Sequence, residues 1–215
     1  MNKTIIGLVG AIGAGKDSVG LAAERQFDAK MIAWATQLYA QVSAAFNVPV
    51  EFLQNRDYKE RDSDRMALVN CSDDDFANLM VGQYGYDLHA AQSPREILRK
   101  WGTEYRRAQD PDYWVKETMK EVELTDASLI FITGTRFDNE VEAVRAAQGY
   151  LVHVIKPGTE KVLDHVSEKE IPFLEGVDHK IINDSTLDDL EVKVANLLTS
   201  IGHSLREVKP VRRIA

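Results

Sequence analysis

The stretch GAIGAGKDS at residues 10–18 decides the fold of this 215-residue chain. It follows TIIGLV (4–9), an apolar run typical of a buried strand, and it precedes a helical pattern from Lys16 to about Phe27. Its spacing is GxxxxGK, the pattern of a phosphate-binding loop between a strand and a helix. The glycines allow backbone N–H groups to turn toward an anion, and the helix N-terminus adds a positive dipole end. A plain connecting turn is the alternative, but the strand, the loop, the lysine and the helix follow one another in the order and spacing of the motif.

The phosphate loop (residues 10–18) is predicted to hold the phosphates of a nucleotide. Lys16 is expected to reach the β- and γ-phosphate oxygens and to offset the charge that builds up during transfer. Asp17 stands where this motif usually has a Ser or Thr that ligates Mg²⁺. Its carboxylate either binds the metal, directly or through water, or only stabilises the start of the helix. The predicted nucleotide-binding residues of the loop are Gly10, Gly13, Ala14, Gly15, Lys16, Asp17 and Ser18, with Asp17 as the metal ligand.

Apolar runs rich in β-branched residues alternate with helical patterns along the rest of the chain. Further strands are predicted at 30–33, 129–133, 151–155 and 180–182. Such alternation indicates a parallel sheet covered by helices on both faces, which is a three-layer α/β fold with five parallel strands. Residues 51–85 are polar and give no clear element, and the run DDD at 73–75 is expected to be a turn or a solvated segment.

Composition excludes several classes of protein. No run of apolar residues approaches the length of a membrane helix, so no membrane association is expected. The single cysteine, Cys71, excludes an internal disulfide and a zinc site built on several thiolates, which favours the cytoplasm. The formal net charge of −8 argues against binding a nucleic-acid polymer, because such proteins neutralise phosphates with Lys and Arg. A local basic cleft for a small anion is still compatible with that charge.

A second candidate site is a helix that carries three arginines. The segment SPRE at 93–96 provides an N-cap serine, a proline at the first helical position and a capping glutamate, and the helix is expected to run to about Arg107. At 100° per residue, Arg95, Arg99 and Arg106 fall within about 40° of one another.

The arginine helix has two interpretations. Either the three guanidinium groups clamp the phosphate of a second substrate, or they form a solvated basic face paired with nearby carboxylates. Gly102 lies beside them, where the missing side chain would let a ligand approach the backbone. Trp101 belongs to the neighbouring stripe, which is expected to be buried.

A third candidate follows the strand at 129–133. In an open parallel sheet, ligands bind beyond the carboxyl ends of the strands, so Arg136 is expected to point into the same crevice as the phosphate loop. The alternative is an ion pair between Arg136 and Glu140 or Glu142.

These motifs together resemble the phage-type deoxynucleoside monophosphate kinases, members of the P-loop nucleoside-monophosphate kinase superfamily. The matching segments are GAIGAGKDS (10–18), SPREILRKWGTEYRR (93–107), TRFDNEVEAVR (135–145), DHVSE (164–168) and IINDSTLDDL (181–190). The GKD form of the loop is typical of this group. Metazoan phosphomevalonate kinases share it and are the nearest alternative.

The resemblance implies a single P-loop kinase domain over residues 1–215. Its core would comprise about 1–33, 129–156 and 179–215, with a helical acceptor-binding insertion at about 34–128 and a small lid at about 157–178. The lid would place His165 and Glu168 near the nucleotides. Asn183 would lie near the donor base, although an asparagine at this position is also typical of a turn or helix cap.

The activity that the resemblance implies is transfer of the γ-phosphate of Mg·ATP to the 5′-phosphate of a deoxynucleoside monophosphate. Lys16, Arg99 and Arg136 are the expected catalytic residues. The expected substrate-binding residues are Arg95, Arg99, Trp101, Gly102, Arg106, Arg136, Glu140, His165 and Glu168. The partners would be small nucleotides in the cytoplasm, that of the host if the gene is a phage gene, and the resemblance allows a homodimer. A P-loop kinase of another phosphorylated acceptor, phosphomevalonate-like or dephospho-CoA-like, and a non-catalytic nucleotide switch are the alternatives.

Overall fold

A five-stranded parallel sheet forms the centre of the fold. The structure, a computed structural model, describes residues 3–159 and 176–202. Within them the strands are β1 (Thr4–Val9), β2 (Ala29–Ala33), β3 (Leu129–Thr133), β4 (Tyr150–Ile155) and β5 (His179–Ile182). All neighbouring strands run parallel, in the order β2-β3-β1-β4-β5. The predicted five-stranded parallel sheet is therefore confirmed.

Helices cover both faces of this sheet. They are α1 (Lys16–Gln26), α7 (Asp138–Ala146) and α8 (Leu187–Ser200). Ile6 and Leu8 of β1 share a buried apolar cluster with α1 and α8. Gly7 lies between them on the strand and faces the other way, since a Cβ built on it would lie 3.0 Å from the side chain of Val144 in α7. The three-layer α/β fold is therefore also confirmed.

The described chain divides into two compact units. The sheet unit lies within Met1–Trp34 and Thr118–Ala215, and the helical unit is Ala35–Glu117. The role of the second unit in binding an acceptor stays a prediction. None of the helices described in residues 3–159 and 176–202 combines the length and the apolar character needed to cross a membrane.

The helical unit is built of helices, and two of them, at 50–54 and 74–84, lie in or beside the stretch 51–85, where the sequence shows no clear element. Its helices are α2 (Thr36–Phe46), α3 (Val50–Gln54), α4 (Asp74–Tyr84) and α5 (Pro94–Arg99), with short 3-10 turns at Asp64–Met66 and Leu68–Asn70. Another helix, α6 (Tyr113–Leu124), begins in this unit. Residues 73–75 form the start of α4 and not a turn, since Asp73 caps the helix by accepting from the Phe76 N–H at 2.9 Å, but Asp74 and Asp75 are exposed, as the solvated alternative predicts. The two following aspartates occupy the first helical turn, where the helix dipole stabilises negative charge.

The arginine helix begins as predicted but does not continue as an α-helix. The Ser93 side chain accepts from the Glu96 N–H at 3.2 Å, and Pro94 occupies the first turn. From Lys100 to Arg107 the backbone is π-helical. A π-helix bonds residue i to i+5 and turns less per residue than an α-helix, so the assumed rotation of 100° per residue is wrong across this segment.

Candidate functional site

The phosphate loop folds into the conformation that its glycines permit. Gly10, Gly13 and Gly15 all have positive φ, at 145°, 81° and 90°. L side chains avoid this region, so the three positions favour glycine. Gly10 has a second constraint, because a Cβ there would lie 2.3 Å from the carbonyl oxygen of Val154 in β4. The start of the loop is therefore seated directly against the neighbouring strand.

Lys16 is already positioned at this loop. Its Nζ donates to the carbonyl oxygens of Gly10, at 2.7 Å, and Ala11, at 2.9 Å. The loop is closed further by the Ala14 N–H, which donates to the Ala11 oxygen at 3.1 Å. The one ammonium group of the loop thus lies at the curled backbone, which suits a site for an anion.

Asp17 and Ser18 follow in the first turn of α1. Asp17 is exposed and Ser18 is half-buried. Among the described residues there is no cluster of three or more His, Cys, Asp or Glu side chains that could hold a metal by itself. Mg²⁺ usually needs only one or two protein carboxylates when it binds together with phosphates, so the single carboxylate of Asp17 fits such a site.

The turn after β3 lies beside the phosphate loop. β3 pairs with β1, and Thr133 lies opposite Leu8, so both segments leave the sheet at the same edge. Thr135 is anchored there, since its N–H donates to the Leu8 oxygen at 3.2 Å and its hydroxyl accepts from the Trp34 indole at 3.0 Å. Arg136 follows and is exposed. Arg136 and the phosphate loop therefore lie at one edge of the sheet.

Glu140 stabilises this turn. Its side chain is 2% exposed, and its carboxylate accepts from the backbone N–H groups of Arg136, at 2.8 Å, and Phe137, at 3.2 Å. The contact of Arg136 with Glu140 is thus made by the backbone of Arg136. Because the Glu140 carboxylate is buried, its geometry fits a role in holding the turn better than the predicted contact with a substrate.

Asn183 also belongs to the carboxyl edge of the sheet, where it directly follows β5. Its side-chain amide donates to the carbonyl oxygen of Ala14 at 3.0 Å, which places it on the phosphate loop. The family resemblance implies a place for Asn183 near the donor base but does not predict this contact with Ala14. The signal that could have found it is the edge itself, because parallel strands bring their carboxyl ends together.

Two predicted site residues, His165 and Glu168, lie outside the described residues, as does most of the predicted lid.

The helical unit carries a polar network around Arg106. The Gln41 oxygen accepts from the Trp101 indole at 3.1 Å and from Arg106 Nε at 3.2 Å. The Gln41 amide donates in turn to the Tyr113 hydroxyl at 2.8 Å. On its other side, Arg106 forms an ion pair of 3.5 Å with Asp73. The guanidinium of Arg106 is thereby fixed between an amide and a carboxylate.

Aromatic rings surround the same guanidinium. Its central carbon lies 4.3 Å from the ring centroid of Tyr105, 5.3 Å from that of Tyr113 and 5.4 Å from that of Trp101. The Tyr105 hydroxyl donates to Asp73 at 2.9 Å. Burial and this hydrogen bond raise the pKa of Tyr105 to about 12, so the phenol stays a donor. Cation–π contacts and hydrogen bonds together hold Arg106 in one orientation.

An open pocket of about 650 Å³ lies at this network. Its lining residues are Gln41, Ala44, Ala45, Ser72, Asp73, Asp74, Asp75, Trp101 and Arg106. Three carboxylates and one guanidinium give the lining an excess of negative charge. Gln41 and Asp73 were missed from the sequence, because each becomes recognisable only when the fold brings it to Arg106.

Arg95 and Arg99 have other partners. Arg99 pairs with Glu96 at 2.7 Å and with Glu104 at 3.6 Å, while Arg95 pairs with Glu60. The Arg99 guanidinium lowers the pKa of Glu96 through this hydrogen bond. Both arginines are more than half exposed, so these ion pairs are the solvated arrangement that the sequence left open. The structure therefore does not bring Arg99 to the partners of Arg106.

Gly102 and Trp101 belong to the core of the helical unit. A Cβ on Gly102 would lie 3.5 Å from Leu38, and its carbonyl oxygen accepts from the Trp114 indole at 3.0 Å. Trp101 is 2% exposed and lies 4.7 Å from Phe76 between ring centroids. The predicted open approach to the backbone at Gly102 is wrong, because Leu38 and Trp114 fill that space.

Comparison with known families identifies the chain. A family model described as deoxynucleotide monophosphate kinase matches residues 87–194, which is half of the sequence. The chain belongs to the deoxynucleotide monophosphate kinase family. The matched segment contains the arginine helix, β3 to β5 and most of α8, whereas the phosphate loop lies outside it. The loop is therefore evidence independent of this match.

Two curated phage proteins, both named deoxynucleotide monophosphate kinase, are similar to part of the chain. The protein of Escherichia phage RB69 is 32% identical over 110 residues, and that of Enterobacteria phage T4 is 30% identical over 112 residues. Each alignment covers 49% of this chain and 45% of the relative. The matched region thus spans less than half the length of either kinase.

Solved structures align over more of the chain but more loosely. A protein from Thermus thermophilus aligns over 94% of this chain and 99% of its own, with a TM-score of 0.49 and 16% identity. Dephospho-CoA kinase from Campylobacter jejuni covers 94% of this chain and 98% of its own, with a TM-score of 0.44 and 14% identity. At these scores the likenesses carry no weight for the site.

Proposed function

We propose that this member of the deoxynucleotide monophosphate kinase family transfers the γ-phosphate of ATP to the 5′-phosphate of a deoxynucleoside monophosphate. The observation that carries the proposal is the phosphate loop, whose three left-handed glycines and inward-turned Lys16 form a site for an anion at the edge of the sheet. The family match over residues 87–194 supports the choice of acceptor.

The donor site is assigned to the sheet unit. Lys16 and the loop amides bind the phosphates of ATP, and Lys16 offsets charge on the transferred group. Asp17 is assigned to Mg²⁺, which when bound supplies charge neutralisation between the phosphates. Arg136 lies at the same edge, and no described residue bonds its guanidinium, so it is available to a phosphate oxygen.

The acceptor base is assigned to the pocket in the helical unit. A phosphate would meet three carboxylates there and only one guanidinium, so a dianion is a poor occupant. A nucleobase is uncharged and offers both N–H donors to Asp73 and carbonyl or ring-nitrogen acceptors to Arg106. The exposed guanidinium groups of Arg95 and Arg99 are the candidates in this unit for the acceptor phosphate.

This chemistry requires no protein nucleophile. The acceptor phosphate is already anionic at neutral pH, so the residues of the chain align the two phosphates, neutralise charge and exclude water.

A coupled ADP-release assay tests the proposal. Purified protein with Mg·ATP is offered each deoxynucleoside monophosphate, with phosphomevalonate and dephospho-CoA as control acceptors. We expect acceptor-dependent ADP release with at least one deoxynucleotide and none above background with either control. ATP hydrolysis that is independent of every acceptor would instead favour a nucleotide switch and overturn the proposal.

A further inference from the structure

Asn183 contacts the phosphate loop through a single peptide group. Its Nδ2 donates to the carbonyl oxygen of Ala14 at 3.0 Å. A Cβ built on Gly15 would lie only 2.2 Å from the same nitrogen. The side chain of Asn183 therefore packs directly on the Ala14–Gly15 peptide, and it does so where the loop turns into α1.

The turn that presents this side chain is itself fixed. The Asn183 N–H donates to the Ile155 oxygen at 2.7 Å, which ties the turn to the end of β4. From α8, Lys193 donates to the Ile182 oxygen at 2.7 Å and to Asp184 at 2.5 Å. Because the backbone is held on both sides, little extra ordering is needed for the amide to bind the loop.

The orientation of the held peptide has a consequence for ligand binding. The Ala14–Gly15 peptide is trans, and in a trans peptide the C=O and N–H groups point in opposite directions. Holding the Ala14 oxygen on Asn183 therefore turns the Gly15 N–H away from Asn183. Among the described residues no acceptor bonds this N–H, so it remains available to an anion.

We infer that Asn183 is a positioning residue of the donor site, which fixes the Ala14–Gly15 peptide so that the Gly15 N–H is directed at a phosphate of the nucleotide. The inference rests on the donor site of the proposed function. It differs from a contact with the donor base, because the effect of Asn183 is transmitted through the loop backbone. Asn183 would then affect every ligand that has a phosphate chain, with or without a base.

Binding of inorganic tripolyphosphate separates the two roles. Calorimetry measures the affinity of the full chain for Mg·tripolyphosphate and for Mg·ATP. In Asn183→Ala we expect both affinities to fall by about five- to tenfold, the size expected for one lost hydrogen bond. Asp188→Asn, an exposed change in the first turn of α8, serves as the matched control and should leave both affinities unchanged. An Asn183→Ala protein that loses affinity for ATP but not for tripolyphosphate would overturn the inference in favour of a base contact.

A second variant and a spectroscopic readout complete the test. Asn183→Asp keeps the shape of the side chain but replaces the donor with an oxygen that repels the Ala14 carbonyl, so tripolyphosphate affinity should fall at least as far as in Asn183→Ala. The Gly15 amide resonance of the ligand-free protein should shift in both variants and not in Asp188→Asn. An unmoved Gly15 resonance would overturn the inference. Neither measurement uses an acceptor, so a failure to phosphorylate deoxynucleotides would overturn the proposed function alone.

Discussion

The two units of the molecule build their candidate sites in different ways. In the sheet unit the phosphate loop is mostly backbone, with three glycines in the left-handed region and carbonyl groups that bind Lys16. In the helical unit the pocket is made of side chains, among which Arg106 is held by an amide, a carboxylate and three aromatic rings. The first site is suited to a phosphate chain common to many ligands, and the second to the shape and polarity of one part of a particular ligand.

This difference predicts different kinds of damage. A change in the phosphate loop should impair turnover with every acceptor, because every reaction uses the same donor. A change in the pocket should alter the affinity for the acceptor and leave ATP binding intact.

The largest effect is expected from Lys16→Ala. Without the ammonium, the loop loses its one positively charged side chain, and kcat should fall by about a hundred- to a thousandfold with every acceptor. The coupled ADP-release assay at saturating ATP and acceptor measures this. Lys30→Ala removes an exposed lysine of β2 and is the matched control, with unchanged turnover expected. Near-normal turnover in Lys16→Ala would remove the loop from the reaction.

The contrast between the units also explains how much the sequence could predict. The strands and the phosphate loop follow from local patterns, and β1, the loop and α1 can all be predicted from the one stretch Thr4 to Gln26. The contact between Asn183 and Ala14 joins residues 169 positions apart, and no local pattern contains it. Gln41, Asp73 and Arg106 are likewise scattered along the chain, and only folding assembles them.

The assumed α-helical periodicity leads to a wrong prediction where the backbone departs from a regular α-helix. Arg95, Arg99 and Arg106 would share a face on an α-helix, but the π-helical segment Lys100–Arg107 changes the rotation between the last two. The spacing of residues in this segment does not predict the change in rotation. Glu140 shows the same limit in another form, since a glutamate near an arginine suggests an ion pair until the buried carboxylate is seen to bind backbone N–H groups.

Glu140→Ala should have the next largest effect, on stability. The change leaves the N–H groups of Arg136 and Phe137 without their carboxylate acceptor, and the free energy of unfolding should fall by about 2 kcal/mol. Urea unfolding followed by circular dichroism measures it. Glu142→Ala, at an exposed position on the same helix, is the control and should change stability by less than about 0.5 kcal/mol. If Glu140→Ala were as stable as the parent protein but had a raised acceptor KM, the buried carboxylate would act on the substrate and not on the turn.

The smallest effect is expected on the acceptor KM when either of two arginines of the arginine helix is replaced. Arg106→Ala should raise the acceptor KM by about tenfold and leave the ATP KM unchanged, because the pocket loses a fixed donor. Arg99→Ala should raise the acceptor KM by only about two- to threefold, since an exposed guanidinium that already pairs with Glu96 contributes little. Thermal unfolding of each variant shows whether a raised KM comes from a destabilised fold. Arg106→Lys, which keeps the charge but not the planar fork, provides a milder variant.

The choice of acceptor makes this comparison sharper. If Arg106 contacts the base, its removal should change the ratio of kcat/KM between one deoxynucleotide and another, because the bases present different donors and acceptors to it. If Arg99 contacts the phosphate, its removal should affect all deoxynucleotides by the same factor, because the phosphate is common to them. A uniform effect of Arg106→Ala would assign Arg106 to the phosphate after all, and an unchanged acceptor KM in Arg99→Ala would remove Arg99 from the site. The two units would then differ in how their sites are built but not in which part of a nucleotide they bind.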